Sequence, residues 1–134
     1  MSTSDYQEAI ADLEATFGMV PPPLDSIPDD DVVNEWPTFK KYTVGESEIP
    51  ALYRELMGLA VAANIKCPYC AHFHTEAARL HGATDAQIEE AVSLASFTAR
   101  YSAMLHAQSY DLDTFKREFE QMATHLQANM GTDD

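Results

Sequence analysis

Apolar residues in this chain return at intervals of three and four, and no segment carries a convincing alternation of period two. Tyr6, Ile10, Leu13 and Phe17 mark one such stripe near the start, and Phe115, Phe119, Met122 and Leu126 mark another near the end. That period of 3.6 places each stripe on one side of a helix, so the chain is expected to be all-α. Its punctuation agrees. Pro21-Pro22-Pro23 stops the first helix, and the segment to about Gly45, with Pro28, Asp29-Asp30-Asp31 and Pro37, suits a loop and one or two short helices, anchored by packing of Trp36, Phe39 and Tyr42.

Pro50 can open the next helix, which runs to about Asn64. It carries no charge between Leu56 and Ala63 and is expected to be largely buried. A further helix follows from Pro68 and ends at Gly82, after which Thr84 and Gln87 form a capping-box signature for the next one. From Ala91 to Tyr110 the only formal charge is Arg100. That stretch is too polar for a membrane span and too uncharged for a helix exposed on a monomer, so a central or subunit-contacting helix is expected. The tail Gly131-Thr132-Asp133-Asp134 should fray. The 134 residues read as a single domain. Its parts are an N-terminal helix and proline-rich segment over 1–46, a core motif region over 47–110 and a C-terminal helix over 111–130.

The first residues lack the basic start and apolar run of a signal peptide, and no stretch approaches about 18 consecutive apolar residues, so a soluble cytoplasmic protein is expected. Acidic residues number 22 against 8 basic ones, giving a formal charge of −14. Such a surface repels nucleic-acid phosphates and anionic membranes, which argues against both as partners. It suits salt adaptation and ordinary acidic proteins equally.

Both cysteines lie in the run Cys67-Pro68-Tyr69-Cys70-Ala71-His72-Phe73-His74. Proline is favoured at the first helical position, which makes Cys67 the N-cap and Cys70 the third helical residue. At about 100° per residue, Cys67, Cys70 and His74 project within an arc of about 60°. Unpaired N–H groups, the positive end of the helix dipole and Lys66 all favour thiolate over thiol. A disulfide closing so short a loop would staple little, so redox chemistry between Cys67 and Cys70 is the favoured reading over buried structural thiols or half of a zinc site. Zinc would need further ligands. On the same helix His72 points about 160° away from His74 and His81 lies about 10 Å further along the axis, so completion would fall to His106 or His125 of another subunit.

Glu55 sits among Leu52, Leu56, Leu59 and Ala62 with no base three or four residues after it. The short Ile65-Lys66 connection should make its helix and the Cys67 helix antiparallel neighbours. Glu55 to Asn64 spans about 13 Å and Cys67 to His74 about 10 Å, so Glu55 and His74 should meet at nearly one level. The competing reading is an ion pair of Glu55 with Arg54 or another base.

Glu55, Cys67-x-x-Cys70, the following x-x-x-His74, and the run Gly82-Ala83-Thr84-Asp85-Ala86-Gln87-Ile88-Glu89-Glu90-Ala91 together resemble the AhpD-like alkylhydroperoxidases of the carboxymuconolactone decarboxylase superfamily. The resemblance covers about residues 50 to 110. It implies an all-helical, AhpD-like bundle of a single repeat, thiol-dependent reduction of hydroperoxides, and a proton relay in which Glu55, His74, Cys67 and Cys70 take part. Some members carry a histidine just before the second cysteine, where this chain has Tyr69. Single-repeat members commonly form dimers, trimers or hexamers, so a homo-oligomer is expected.

The resulting expectation is an antioxidant peroxidase with catalytic residues Glu55, Cys67, Cys70 and His74, a hydroperoxide as substrate, a dithiol or lipoyl-type electron donor, and neither cofactor nor metal. Cys70 is favoured as the attacking thiol because His74 is one turn away, whereas helix-end exposure argues for Cys67. A disulfide reductase acting on a protein or lipoyl-type partner would use the same residues. A carboxymuconolactone decarboxylase-type enzyme needs no dithiol, and a non-enzymatic helical binding module would dispense with the cysteines altogether.

Overall fold

In a computed structural model, residues 3–130 are described and form seven helices. They are α1 (Thr3–Phe17), α2 (Pro22–Asp25), α3 (Asp29–Thr43), α4 (Ala51–Ile65), α5 (Pro68–Leu80), α6 (Asp85–Ala107) and α7 (Leu112–Met130). There is no strand among these residues. The fold is all-α, as expected, while the anticipated fraying at 131–134 lies outside the described residues.

The first three helices share one apolar cluster. Leu13 of α1 and Val32 of α3 are fully enclosed, with Ala9, Leu24 and Trp36 beside them. Phe17 meets Trp36 and Phe39 edge-on at centroid distances of 5.9 and 6.1 Å. Asp12 accepts hydrogen bonds from Trp36 Nε1 (2.8 Å) and Lys40 Nζ (2.7 Å), which pins α1 to α3 and holds the Asp12 carboxyl below its usual range, chiefly through the lysine. The three aspartates of the first turn of α3 and the two lysines of its last turn complement the helix dipole.

This α3 is longer than the sequence suggests, since it continues through Pro37. Proline there removes one backbone hydrogen bond, but Val32, Trp36 and Phe39 reach the core together only if the helix persists on both sides of it. Tyr42, expected to anchor this segment, is instead half exposed beneath the Lys41 ammonium, 4.9 Å from the ring centroid.

α4 is the hub of the second half, packing on α5 and α6 and touching α3. Its buried side chains are Glu55, Leu59 and Ala62, and Leu59 joins Ile88 and Ala91 of α6 in the second apolar cluster. The expectation that α4 is largely buried is corrected. Tyr53, Met57, Val61 and Ile65 recur every fourth residue along an exposed face. An uncharged helix has one stripe that finds neighbours within the chain, and the opposite stripe does not. The same applies to α6, where Ile88, Ala91 and Ala95 are buried but Phe97, Tyr101 and Met104 beyond them are exposed. Its start is as expected: Thr84 and Gln87 form both halves of a capping box. α7 buries none of its residues, and Phe119, Met122 and Leu126 lie open. No helix among the described residues is long and apolar enough to cross a membrane.

Candidate active site

The connection between α4 and α5 places the two thiols. Lys66 caps α4 in the left-handed conformation (φ 57°, ψ 39°), a position usually given to glycine. The Cys67 N–H then reaches back to Ala62 O at 3.0 Å, closing α4. Cys67 itself is extended (φ −93°, ψ 105°), and its sulfur accepts the Cys70 N–H at 3.3 Å, opening α5 with Pro68 at the first helical position. Cys67 is thus the last residue held by one helix and the N-cap of the next.

Both cysteines are free and half-buried, with their sulfurs 2.9 Å apart. Of the two directions a hydrogen bond between them can take, Cys70 to Cys67 is favoured, because the Cys67 sulfur already accepts a backbone N–H. That bond from Cys70, aided by the backbone N–H groups of Cys70 and Tyr69, lowers the Cys67 thiol below its ordinary value. The same contact and burial raise Cys70. The two sulfurs are therefore unequal, with Cys67 the more readily ionised and Cys70 the one that holds its proton more firmly.

On the facing helix, Glu55 is 2 % exposed, and its Oε2 lies 2.7 Å from Nδ1 of His74. A carboxylate buried to this degree costs several kcal/mol unless it is paired, and the imidazole supplies the partner. The carboxylate selects the tautomer with the proton on Nδ1, which leaves the lone pair on Nε2. Phe73 stands edge-on to the same ring at 5.1 Å. The short connection between antiparallel helices brings Glu55 and His74 to one level, as the axial rise requires.

Arg54, the alternative partner for Glu55, turns the other way. Its guanidinium donates to Ser47 Oγ (2.5 Å), Ile49 O (2.8 Å), Gly45 O (2.8 Å) and Tyr42 O (3.2 Å), clasping the loop between α3 and α4. His72 and His81 are exposed, as are His106 on α6 and His125 on α7. Among the described residues, no three or more His, Cys, Asp or Glu side chains are grouped so as to hold a metal ion.

Residues 30–110 match the carboxymuconolactone decarboxylase family. The chain belongs to this family. Among solved structures, the alkylhydroperoxidase AhpD core from Rhodospirillum rubrum is 29% identical and superposes with a TM-score of 0.70, covering 84% of this chain and 85% of that one. An alkyl hydroperoxide reductase of Mycobacterium tuberculosis is 32% identical over 80 residues, which are 58% of this chain and 23% of that protein. An uncharacterised protein encoded in the cox locus of Paracoccus denitrificans is 39% identical over 54 residues, 40% of this chain and 49% of that one. The matched region thus spans about a quarter of one relative and half of the other.

This AhpD-like member of the family contains more than the motif discloses. The family match begins at residue 30, so it takes in most of α3, well before the region from about residue 50 that the motif resemblance covers. Two residues that shape the site carry weak sequence signals. Lys66 gives no hint of its left-handed backbone. Gly58 is a glycine inside a helix, one turn after Glu55, and the His74 ring lies directly against it.

Proposed function

We propose that the chain is a thiol-dependent peroxidase that reduces hydroperoxides through Cys67 and Cys70, with Glu55 and His74 as a proton relay. The observation that carries this reading is the joint placement of a thiolate-favouring N-cap cysteine, a thiol 2.9 Å from it, and a carboxylate-oriented imidazole on the same helix. The names of the reductase from Mycobacterium tuberculosis and the AhpD core from Rhodospirillum rubrum support the same chemistry.

The Cys67 thiolate attacks one peroxide oxygen, the O–O bond breaks, and the second oxygen leaves as alkoxide or hydroxide. Cys67 becomes a sulfenic acid, and the Cys70 sulfur displaces its hydroxyl to form the Cys67–Cys70 disulfide, the Cys70 thiol proton passing to the displaced hydroxyl, which leaves as water. Two electrons pass from the dithiol to the peroxide, and an external dithiol or lipoyl-type donor returns them. His74, held by Glu55, takes the Cys67 thiol proton through Nε2 and delivers it to the departing alkoxide or hydroxide. This assignment exchanges the roles that proximity along the helix suggests, because the hydrogen bonds favour the anion on Cys67.

One equivalent of peroxide should consume both thiols and form an intramolecular disulfide that a dithiol reverses, as mass spectrometry and thiol counting can read. Cys70→Ser should stop at a sulfenic acid on Cys67, trapped by a dimedone reagent, whereas Cys67→Ser should scarcely react. Two thiols that persist in peroxide would exclude the peroxidase. A slow peroxide reaction with rapid reduction of a partner disulfide would favour the reductase instead.

The open apolar faces of α4, α6 and α7 support assembly with further copies of the chain. Light scattering at micromolar concentration should give a mass of at least twice 14.9 kDa. A monomer in both physiological and high salt would reject assembly.

A further inference from the structure

Gly58 lies in the interior of α4, one turn beyond Glu55 and facing His74 of α5. A Cβ placed on it would fall 2.4 Å from Cε1, 2.5 Å from Nδ1 and 2.6 Å from Nε2 of the His74 ring. Non-bonded carbon atoms are in favourable contact at about 3.5–4.0 Å, so a methyl group and the ring cannot share this space. The backbone supplies no other reason for glycine here. Among the described residues the positive-φ glycines are Gly18 and Gly82, and at an ordinary helical position alanine is the better helix former. The near-equal distances put that methyl group over the face of the ring, so the Nδ1–Cε1–Nε2 side of the imidazole lies flat over bare backbone, and it is in that seat that Nδ1 reaches Glu55 Oε2 at 2.7 Å.

The ring is partly enclosed, with 27 % of the His74 side chain exposed. It is joined to α5 by a single methylene, with Phe73 edge-on beside it at 5.1 Å, and α4 and α5 are themselves closely packed. A side chain at Gly58 must either rotate the imidazole out of its seat or push the two helices apart. Both movements break the bond to Glu55.

We propose that Gly58 is a positioning residue: its missing side chain forms a notch in α4 that seats the His74 imidazole and thereby sets the Nδ1 hydrogen bond to Glu55. The effect on turnover rests on the relay proposed above, whereas the seating does not. Gly58 acts through His74 and touches no reacting atom.

The test is Gly58→Ala, made in the wild type and in a His74→Ala background. Imidazole nitrogen NMR of the wild type should report a His74 proton fixed on Nδ1 and hydrogen-bonded to a carboxylate, and Gly58→Ala should abolish that signature. Thermal melting should fall in Gly58→Ala. With His74→Ala the space is vacated, so adding Gly58→Ala should leave melting unchanged or raise it through better helix propensity. An unaltered His74 spectrum in folded Gly58→Ala, or equal destabilisation in both backgrounds, would overturn the proposal.

Peroxide-driven thiol oxidation separates this inference from the functional reading. Folded Gly58→Ala should lose about as much rate as Glu55→Gln, and combining the two should add little. A displaced imidazole with wild-type oxidation rates would reject the relay and leave the notch established.

Discussion

The α1–α3 cluster and the α4–α6 unit solve the packing problem in opposite ways. The first encloses Leu13, Val32 and Trp36, sets Phe17 edge-on to two further aromatic rings and keeps a conspicuous charge group, Asp12 with Lys40, at the edge. The second buries Leu59 and Ile88 together with mostly small residues, Ala62, Ala78, Ala91 and Ala95, and a nearly inaccessible glutamate, and leaves Tyr53, Met57, Val61 and Phe97 outside. Small side chains let α4 and α5 approach closely enough for a carboxylate and an imidazole to meet between them. What this arrangement gives up is apolar area buried within the chain. The first region is organised for stability, and the second trades some of it for a fixed polar pair.

The largest expected effect tests that division from the polar side. Loss of a positioned general base typically lowers a rate about 10²- to 10⁴-fold, so Glu55→Gln should slow peroxide oxidation of the thiols by that order while the final disulfide still forms. His74→Ala should do at least as much, and the double variant should be scarcely worse than the poorer single one, since groups that act as a unit are strongly non-additive. Stopped-flow measurements on the three variants provide the check. Fully multiplicative losses, or wild-type rates in folded Glu55→Gln, would make Glu55 a structural residue like those of the first cluster.

From the apolar side, Leu13→Ala removes a fully enclosed side chain and should cost about 2–5 kcal/mol of folding stability. Chemical denaturation would measure this loss. The oxidation rate of the fraction that remains folded should not change, because Leu13 lies in the other cluster. A slowed reaction in the folded variant would mean that the two regions are coupled more tightly than their separate packing suggests.

A smaller effect concerns the division of the proton between the sulfurs. With Cys67 lowered and Cys70 raised, Cys70 protonates first as pH falls from the ordinary thiol range, and Cys67 remains a thiolate until the pH passes through its lowered value. Alkylation mapped by mass spectrometry across pH should therefore label Cys67 at lower pH than Cys70. The reverse order would return the attacking role to Cys70. The same sign holds for Asp12 in the first cluster. Its stabilising contribution is present above the usual carboxylate range and is lost as pH falls through its lowered value.

Local features were legible in the residues themselves. Pro68 announces the start of α5 and makes Cys67 its N-cap, Thr84 and Gln87 announce α6, and the spacing of Cys67, Cys70 and His74 puts them on one side of a helix. Even the meeting of Glu55 with His74 could be read from axial rise and a short connection. Pro37 misled because tertiary burial of Val32, Trp36 and Phe39 outweighs a break in one hydrogen bond. The uncharged face of α4 misled because absence of charge states what a surface lacks, without stating what covers it.

Apart from α3, the sequence by itself determined where helices begin and end and which side chains share a face, since these depend on backbone hydrogen bonds and dihedral preferences spanning about one turn. Only the tertiary structure decided how those helices rotate about their axes. That rotation turned Arg54 toward the loop, seated the imidazole on Gly58, and left one stripe of α4 in solvent. Rotation is set by which surfaces pack best across the whole bundle, and no single turn of helix contains that information.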